Sequence, residues 1–218
     1  TAACAHHRVT GQDSFLKIAR GVADYVSATV TPRDEALADF PFNPSIIMGS
    51  VDLYRATGET RYLDLARFFI EWRGSRYGDG QRSSWGPVTG GSDQTQNWRP
   101  LREESEVVGH AVFFTYLYAG ATDAYMESGD EELMAALGRV WDDLTRHKMY
   151  VTGGVSPVHK GLSARQLHPG RFDFIEGDPV HEGVGAPYAL PNDTAYNETC
   201  GQIGNVMWSW RMLLATGE

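Results

Sequence analysis

The sequence predicts an all-α fold in which helix hairpins repeat along the chain. Segment 8–20 aligns with segment 55–67 at an offset of 47 residues, and Arg, Thr, Gly, Leu, Ala and Arg recur in the same places. A looser copy begins at Tyr125, and a fourth begins at Arg211. Apolar residues recur with the 3.6-residue period of a helix, whereas strand signals are weak throughout. Repeated two-helix units stack into an open solenoid or close into a toroid.

Two long polar connections favour the toroid. They run from Gly74 to Glu103 and from Thr152 to Asn192, and loops of this length inside a compact helical array are usually functional. Each connection leaves the C-terminal side of a helix pair. We therefore expect the two connections to gather at one mouth of the toroid.

Each repeat predicts a helix that ends at Gly, which tolerates the left-handed conformation, and a second helix that begins at a polar residue such as Asp13, Thr60 or Asp130. The helix after Thr60 is amphipathic, and the helix that contains His110 is apolar on all sides, which indicates burial. After a helical opening segment, we expect helices over about 12–29, 43–57, 60–73, 104–127, 130–147 and 200–215.

The composition excludes several classes of protein. The chain has 218 residues with 19 Lys and Arg against 28 Asp and Glu, a net charge of −9. An acidic chain without a basic block is not expected to bind nucleic acid or an anionic membrane, and no apolar run reaches the ~20 residues that span a bilayer. Two cysteines, Cys4 and Cys200, cannot build a disulfide framework. We expect Cys4 to lie in the core.

The length predicts a single domain over residues 1–218. The chain begins within a helical segment without Met and ends at the turn of another hairpin, so we expect a piece of a longer protein whose toroid is incomplete at both ends. An apolar stripe from Ile203 to Leu214 is then expected to lack its partner. The oligomeric state, a homodimer included, and the compartment, cytoplasmic or exported, stay open.

Glu198 and Cys200 form a candidate metal site. A carboxylate and a thiolate suit Zn²⁺, but residues two apart on a regular helix point about 200° away from each other. A shared metal therefore requires this segment to be extended or to lie at the very start of a helix. The alternative is that Cys200 is a small buried hydrophobe, since Ile203, Met207 and Trp210 continue its stripe.

Other polar residues have equally simple alternatives. Glu182 is either functional or a solvated loop carboxylate. His110 is either a pocket residue or a core histidine bonded to the backbone. Further histidines that could serve a polar site are His159, His168 and His181. The loop residues Trp85 and Trp98 either stack on sugar rings or anchor the first long connection by burial.

Several motifs together resemble a known enzyme family. They are MYVTGG at 149–154, LPNDTAYNETC at 190–200, IGNVMW at 203–208, and REE at 102–104 followed by VGHAV at 108–112. In this order they resemble glycoside hydrolase family 127, whose founding activity is β-L-arabinofuranosidase. The resemblance covers most of the chain, and it implies an (α/α)6 catalytic barrel followed by β-sandwich domains; we expect these 218 residues to belong to the barrel alone.

The resemblance also implies a retaining mechanism with a zinc-bound cysteine as nucleophile. Glu198 and Cys200 match zinc ligands, and Glu182 matches the general acid/base, for which we expect a raised pKa. His110 and His159 match residues that line the sugar site. The family's adjacent pair of cysteines, which includes the nucleophile, has no counterpart in this chain, so we expect weak zinc binding and negligible turnover from these residues alone. The chain also departs from many relatives at Trp98, where they carry His.

The predicted function is therefore that of a zinc-dependent retaining glycosidase that releases terminal L-arabinofuranose from a carbohydrate substrate. The alternatives are a related furanosidase or sugar-acid hydrolase, and a catalytically silent helical module that binds carbohydrate.

Overall fold

The computed structural model describes residues 1–30, 43–75, 93–163 and 180–218, together with the backbone of 82–83 and 86–87. The helices are α1 (Ala2–Thr10), α2 (Ser14–Val30), α3 (Ser45–Thr57), α4 (Thr60–Trp72), α5 (Ala111–Ser128), α6 (Glu131–Asp143) and α7 (Thr199–Thr216). The strands are short: β1 (Arg82–Ser83), β2 (Gly86–Pro87), β3 (Gly109–His110), β4 (Val158–Gly161) and β5 (Val180–Val184). A 3-10 turn covers Leu101–Glu103, and a π-helical turn, Leu144–Lys148, extends α6. The all-α prediction is confirmed.

Glycine ends the helices of the repeat as predicted. The glycine that follows each of α1, α3, α5 and α7 is left-handed, with φ of 69°, 71°, 66° and 79°, and its N–H bonds a carbonyl of the last turn. Asp130 starts α6 by accepting a hydrogen bond from the Leu133 N–H, also as predicted. The expected start at Thr60 is confirmed, since Thr60 is the first residue of α4; the N-cap residue before it, Glu59, makes no side-chain cap.

Helix α5 lies at the centre of the core. It packs against α3, α4, α6 and α7, and nearly every side chain from Ala111 to Ala124 is buried. Glycines allow the closest approaches, since a Cβ at Gly120 would lie 2.7 Å from the Ile47 side chain of α3. Cys4 is 1% exposed, so its expected place in the core is confirmed.

Buried charges tie three of these helices together. Asp123 of α5 is 2% exposed and binds Arg55 of α3 at 2.8 Å and Arg211 of α7 at 2.6 Å. Because an unpaired buried carboxylate is strongly destabilising, this two-sided pairing requires α3 and α7 to stay against α5.

The expected helix over 104–127 begins seven residues late. Segment 104–110 is not helical: Gly109 has φ of +78°, and His110 is extended and caps α5 by accepting the Val112 N–H on Nδ1 at 3.1 Å. An added Cβ at Gly109 would collide with the Asp93 carbonyl, so the chain crosses a neighbouring backbone at this point. Val107 and Val108 are both 0% exposed, so their apolar pattern indicates burial and does not indicate a helix.

The strands β3, β5 and β4 form a small antiparallel sheet with β5 in the middle. Gly183 of β5 pairs with His110 of β3 on one side and with Val158 of β4 on the other. Since β4 and β5 belong to the second long connection and β3 precedes α5, the sheet docks that connection onto the N-terminal end of the central helix.

Two helices carry exposed apolar faces. On α7 the exposed residues are Ile203, Val206, Met207, Trp210, Leu213 and Leu214, and on α2 they are Phe15, Ile18, Val22 and Tyr25. The opposite face of α7 is buried on α5. Across the described part of the chain, none of the helices has both the length and the hydrophobicity needed to cross a bilayer.

Candidate active site

Strand β5 presents Glu182 at the centre of a polar cluster. Glu182 has a left-handed backbone with φ of +52°, which is unusual for a residue with a side chain. The next residue, Gly183, lies so close to β3 that an added Cβ would be 2.6 Å from the carbonyl carbon of Gly109. This close approach holds Glu182 against His110, although 72 residues separate them in the sequence.

Both carboxylate oxygens of Glu182 have hydrogen-bond partners. Nε2 of His110 lies 3.1 Å from Oε2, and the Tyr196 hydroxyl donates to Oε1 at 2.8 Å. Because Nδ1 of His110 accepts the Val112 N–H, the proton of a neutral ring sits on Nε2, which then donates to Glu182. Glu182 is only half-buried, so the cluster remains accessible from solvent.

The electrostatics of the cluster favour an ionised Glu182. The Tyr196 hydrogen bond is the largest influence that lowers the pKa of Glu182, and His110 and His159 add to it against the opposing effect of burial. Burial lowers the pKa of His110, which keeps its ring neutral, despite the nearby Glu182 charge. The expectation of a raised pKa for Glu182 is therefore wrong for this arrangement, because hydrogen-bond donors outweigh desolvation.

Glu198 and Cys200 lie at the start of α7, the geometry that a shared ligand site requires. Glu198 is the extended N-cap residue, with φ of −51° and ψ of 133°, and Cys200 is the second residue of the helix. The Cys200 thiol points at Oε1 of Glu198 in a close contact. Oε2 of Glu198 is buried without a hydrogen-bond partner. Burial, followed by the charge of Glu182, raises the pKa of Glu198.

These residues could hold a metal ion. One ligand atom from each of His110, Glu182 and Glu198 lies within 4.8 Å of the others, and Cys200 adds a thiol beside Glu198. A carboxylate oxygen without a partner, next to a thiol, fits a Zn²⁺ ligand pair, because zinc accepts both oxygen and sulfur.

Cys200 is not part of the buried face of α7 in this structure. Cys200 is half-exposed, and the residues that were to continue its buried stripe, Ile203, Met207 and Trp210, are exposed by 51%, 38% and 57%. The buried face of α7 runs instead through Gly201, Gly204 and Trp208, where glycines let α7 approach α5 closely.

The other predicted site residues differ in how close they lie to the cluster around Glu182. The exposed ring of His159 on β4 stacks on Tyr196 with centroids 4.7 Å apart, which brings it to the edge of the cluster. His181 precedes Glu182 and is held through its backbone. Trp98 is buried, which supports an anchoring role, whereas His168 and Trp85 lie outside the described residues.

Two residues that sequence reasoning did not single out belong to the site. Tyr196 donates a hydrogen bond to Glu182, and its position two residues before Glu198 in the same motif is the signal that could have indicated it. Gln94 contacts the backbone of His181, and no local pattern marks it. This contact also joins the two long connections, which were expected to meet.

The sequence matches, over residues 1–218, the family described as the beta-L-arabinofuranosidase GH127 catalytic domain. The chain belongs to glycoside hydrolase family 127. Among curated proteins, the non-reducing end beta-L-arabinofuranosidase of Bifidobacterium longum subsp. longum is 30% identical over 97% of this chain and 30% of its own length.

Solved structures agree with this GH127 assignment. A structure described as a glycoside hydrolase is 37% identical with a TM-score of 0.84, over 100% of this chain and 33% of that one. A GH127 beta-L-arabinofuranosidase from Geobacillus stearothermophilus T6 is 33% identical with a TM-score of 0.76, over 97% of this chain and 31% of that one. These GH127 structures have an (α/α)6 fold, which confirms the predicted fold class. The chain spans about a third of the length of the relatives it matches.

Proposed function

We propose that this chain is part of a retaining glycoside hydrolase that releases terminal β-L-arabinofuranosyl groups, with Glu182 as the general acid/base. Family membership and the β-L-arabinofuranosidase activity of the Bifidobacterium longum relative support the reaction class. The observation that carries the residue assignment is the Glu182 carboxylate, which His110 and Tyr196 bond and which lies within 4.8 Å of a carboxylate oxygen of Glu198.

Glu182 exchanges a proton with the departing and the entering oxygen. In the first step the protonated carboxyl gives its proton to the glycosidic oxygen as the bond from that oxygen to the anomeric carbon breaks and the nucleophilic cysteine of the longer polypeptide bonds to the same carbon. In the second step the carboxylate takes a proton from water, whose oxygen bonds to the anomeric carbon as the bond to the cysteine breaks. The lowered pKa of Glu182 suits the second step directly. The first step needs the protonated form, which desolvation by a bound sugar favours.

His110 and Tyr196 orient that carboxylate through both steps. A neutral His110 donates from Nε2, and Tyr196 donates from its hydroxyl, so the two carboxylate oxygens have fixed directions. His159 stacks on Tyr196 and presents an exposed ring at the edge of the site, where a sugar hydroxyl can bind it.

We also propose that Glu198 and Cys200 bind zinc, with the remaining ligands and the nucleophilic cysteine supplied by the longer polypeptide. Bound zinc keeps a ligating thiol deprotonated at neutral pH. The unpartnered Oε2 of Glu198 and the adjacent Cys200 thiol support this ligand pair.

The test is hydrolysis of an aryl β-L-arabinofuranoside by the longer polypeptide, followed by proton NMR. Release of L-arabinofuranose first as the β anomer supports the proposal, and the α anomer contradicts retention. Hydrolysis of a different furanoside or a sugar acid alone supports the related-hydrolase alternative. Sugar binding without hydrolysis of any glycoside supports a silent carbohydrate-binding module.

A further inference from the structure

The side chain of Gln94 forms hydrogen bonds with the edge of β5 next to Glu182. Strand β3 pairs only with Gly183 and Val184, because its chain turns into α5 after His110. His181, two residues earlier on β5, pairs with Lys160 of β4 but is not reached by β3. The side-chain amide of Gln94 takes this place: Oε1 accepts the His181 N–H at 2.7 Å, and Nε2 donates to the His181 carbonyl at 3.2 Å.

The same residue holds the other half of the cluster. The backbone carbonyl of Gln94 accepts the His110 N–H at 3.1 Å, so Gln94 fixes the residue before Glu182 and the residue whose ring bonds Glu182. Gln94 is 1% exposed, so water does not compete for these bonds. A primary amide is the side chain that offers one donor and one acceptor side by side, as a strand residue does.

Glu182 needs this support because its backbone is strained. A left-handed φ of +52° is disfavoured for a residue with a Cβ, and such a conformation persists where surrounding contacts determine it. The Gln94 amide fixes the peptide groups on both sides of His181 and so fixes the chain direction into Glu182.

We propose that Gln94 is a positioning residue for the general acid/base, acting through the backbone of His181 on the direction of the Glu182 carboxylate. This inference rests on the proposed function of Glu182. Loss of the amide lets Glu182 relax toward ordinary backbone angles and moves its carboxyl away from the glycosidic oxygen. A displacement of ~1 Å in a reacting group costs on the order of 10²-fold in rate.

The experiment compares Gln94→Met with the wild type in the longer polypeptide. Methionine keeps the length of the side chain and removes both hydrogen bonds. The measured quantity is kcat/KM, which reports the glycosylation step, for an alkyl and a 2,4-dinitrophenyl β-L-arabinofuranoside. We expect a loss on the order of 10²-fold for the alkyl glycoside, which needs the acid, and a loss below about 3-fold for the dinitrophenyl glycoside, whose leaving group does not.

Thr122→Val is the matched control. Thr122 is buried in α5, donates to the Tyr118 carbonyl at 2.7 Å, and lies about 17 Å along the helix from its start. The Thr122→Val substitution removes this buried hydrogen bond, and we expect it to change kcat/KM for the two substrates by the same factor. If Gln94→Met is too unstable to purify, Gln94→Leu replaces it, because leucine also removes both hydrogen bonds and adds no charge to this buried position.

The outcomes separate the two proposals. Equal losses on the two substrates, or no loss on either, overturn the role of Gln94 while the proposed function stands. A wild-type protein that hydrolyses neither substrate overturns the proposed function itself.

Discussion

Replacing Gly183 with alanine adds one methyl group where β5 and β3 come closest. The new Cβ would lie 2.6 Å from the carbonyl carbon of Gly109 and closer still to its oxygen, whereas ordinary van der Waals contacts begin at 3.4 Å. Clearing the carbonyl carbon alone takes 3.4 − 2.6 = 0.8 Å, and because the oxygen is closer still, the strands must separate by more than ~1 Å. The same separation would lengthen the 3.1 Å contact between His110 and Glu182 beyond hydrogen-bond range.

The expected cost is about 3 kcal/mol. Overpacking a close contact costs ~1–3 kcal/mol, and each strained backbone hydrogen bond adds ~0.5–1.5 kcal/mol. For a chain of this size, each kcal/mol lowers Tm by ~2–4 °C, so we expect a fall of roughly 6–12 °C. Differential scanning calorimetry of the purified 218-residue chain measures it.

Gly138→Ala is the matched control. Gly138 lies within α6, and an added Cβ there meets no atom within 4 Å. Alanine is favoured over glycine inside a helix by about 1 kcal/mol, so Gly138→Ala should keep or raise Tm. If Gly183→Ala also fails to lower Tm, the close packing of β5 on β3 does not hold the site together.

Two further predictions concern the metal site and a helix start. Cys200→Ser should reduce the zinc content of the longer polypeptide, measured by plasma mass spectrometry, from about one per chain to well below half, since a hydroxyl is a poor zinc ligand; an unchanged content would exclude Cys200 as a ligand. Asp130→Ala should cost about 1 kcal/mol at neutral pH through the lost N-cap of α6. Because the Arg102 hydrogen bond holds the pKa of Asp130 at about 2, below its ordinary value, this difference should disappear as the pH falls from about 4 toward 2. A difference in Tm that is the same at both ends of that range would mean that the charge of Asp130 contributes nothing.

The hairpins were predictable because their signals are local. A glycine that needs a left-handed conformation, followed by an amphipathic stretch, determines a helix end and a helix start within a few residues. The start of α5 was missed because Val107 and Val108 continue the apolar pattern of the helix. Helix α5 cannot begin earlier because Gly109 crosses the backbone of Asp93. This contact joins separate segments, so no local sequence pattern shows it.

The site was predictable in its residue types but not in its arrangement. Family motifs pointed to Glu182, Glu198 and Cys200, and the start of α7 between Glu198 and Cys200 matched the spacing argument. The contact between His110 and Glu182 depends on the register of β3 against β5, which joins distant segments. Gln94 has no local signal, because its role comes from the two strands that it bridges.

The direction of the Glu182 pKa shift was predicted from what the mechanism needs, and the structure has the opposite sign. A raised pKa requires burial to dominate, whereas Glu182 is half-exposed and accepts hydrogen bonds on both oxygens. The Tyr196 hydrogen bond and the two neighbouring histidines determine that sign, and their positions follow from the tertiary structure.

Leaving-group dependence in the Glu182→Gln variant of the longer polypeptide tests the central claim most directly. Glutamine keeps the shape and an acceptor for Tyr196 but cannot give a proton to the glycosidic oxygen. We expect kcat/KM for an alkyl β-L-arabinofuranoside to fall by about 10²–10⁴-fold, while the value for the 2,4-dinitrophenyl glycoside stays within about 10-fold of the wild type. Unchanged hydrolysis of the alkyl glycoside would show that another residue is the acid.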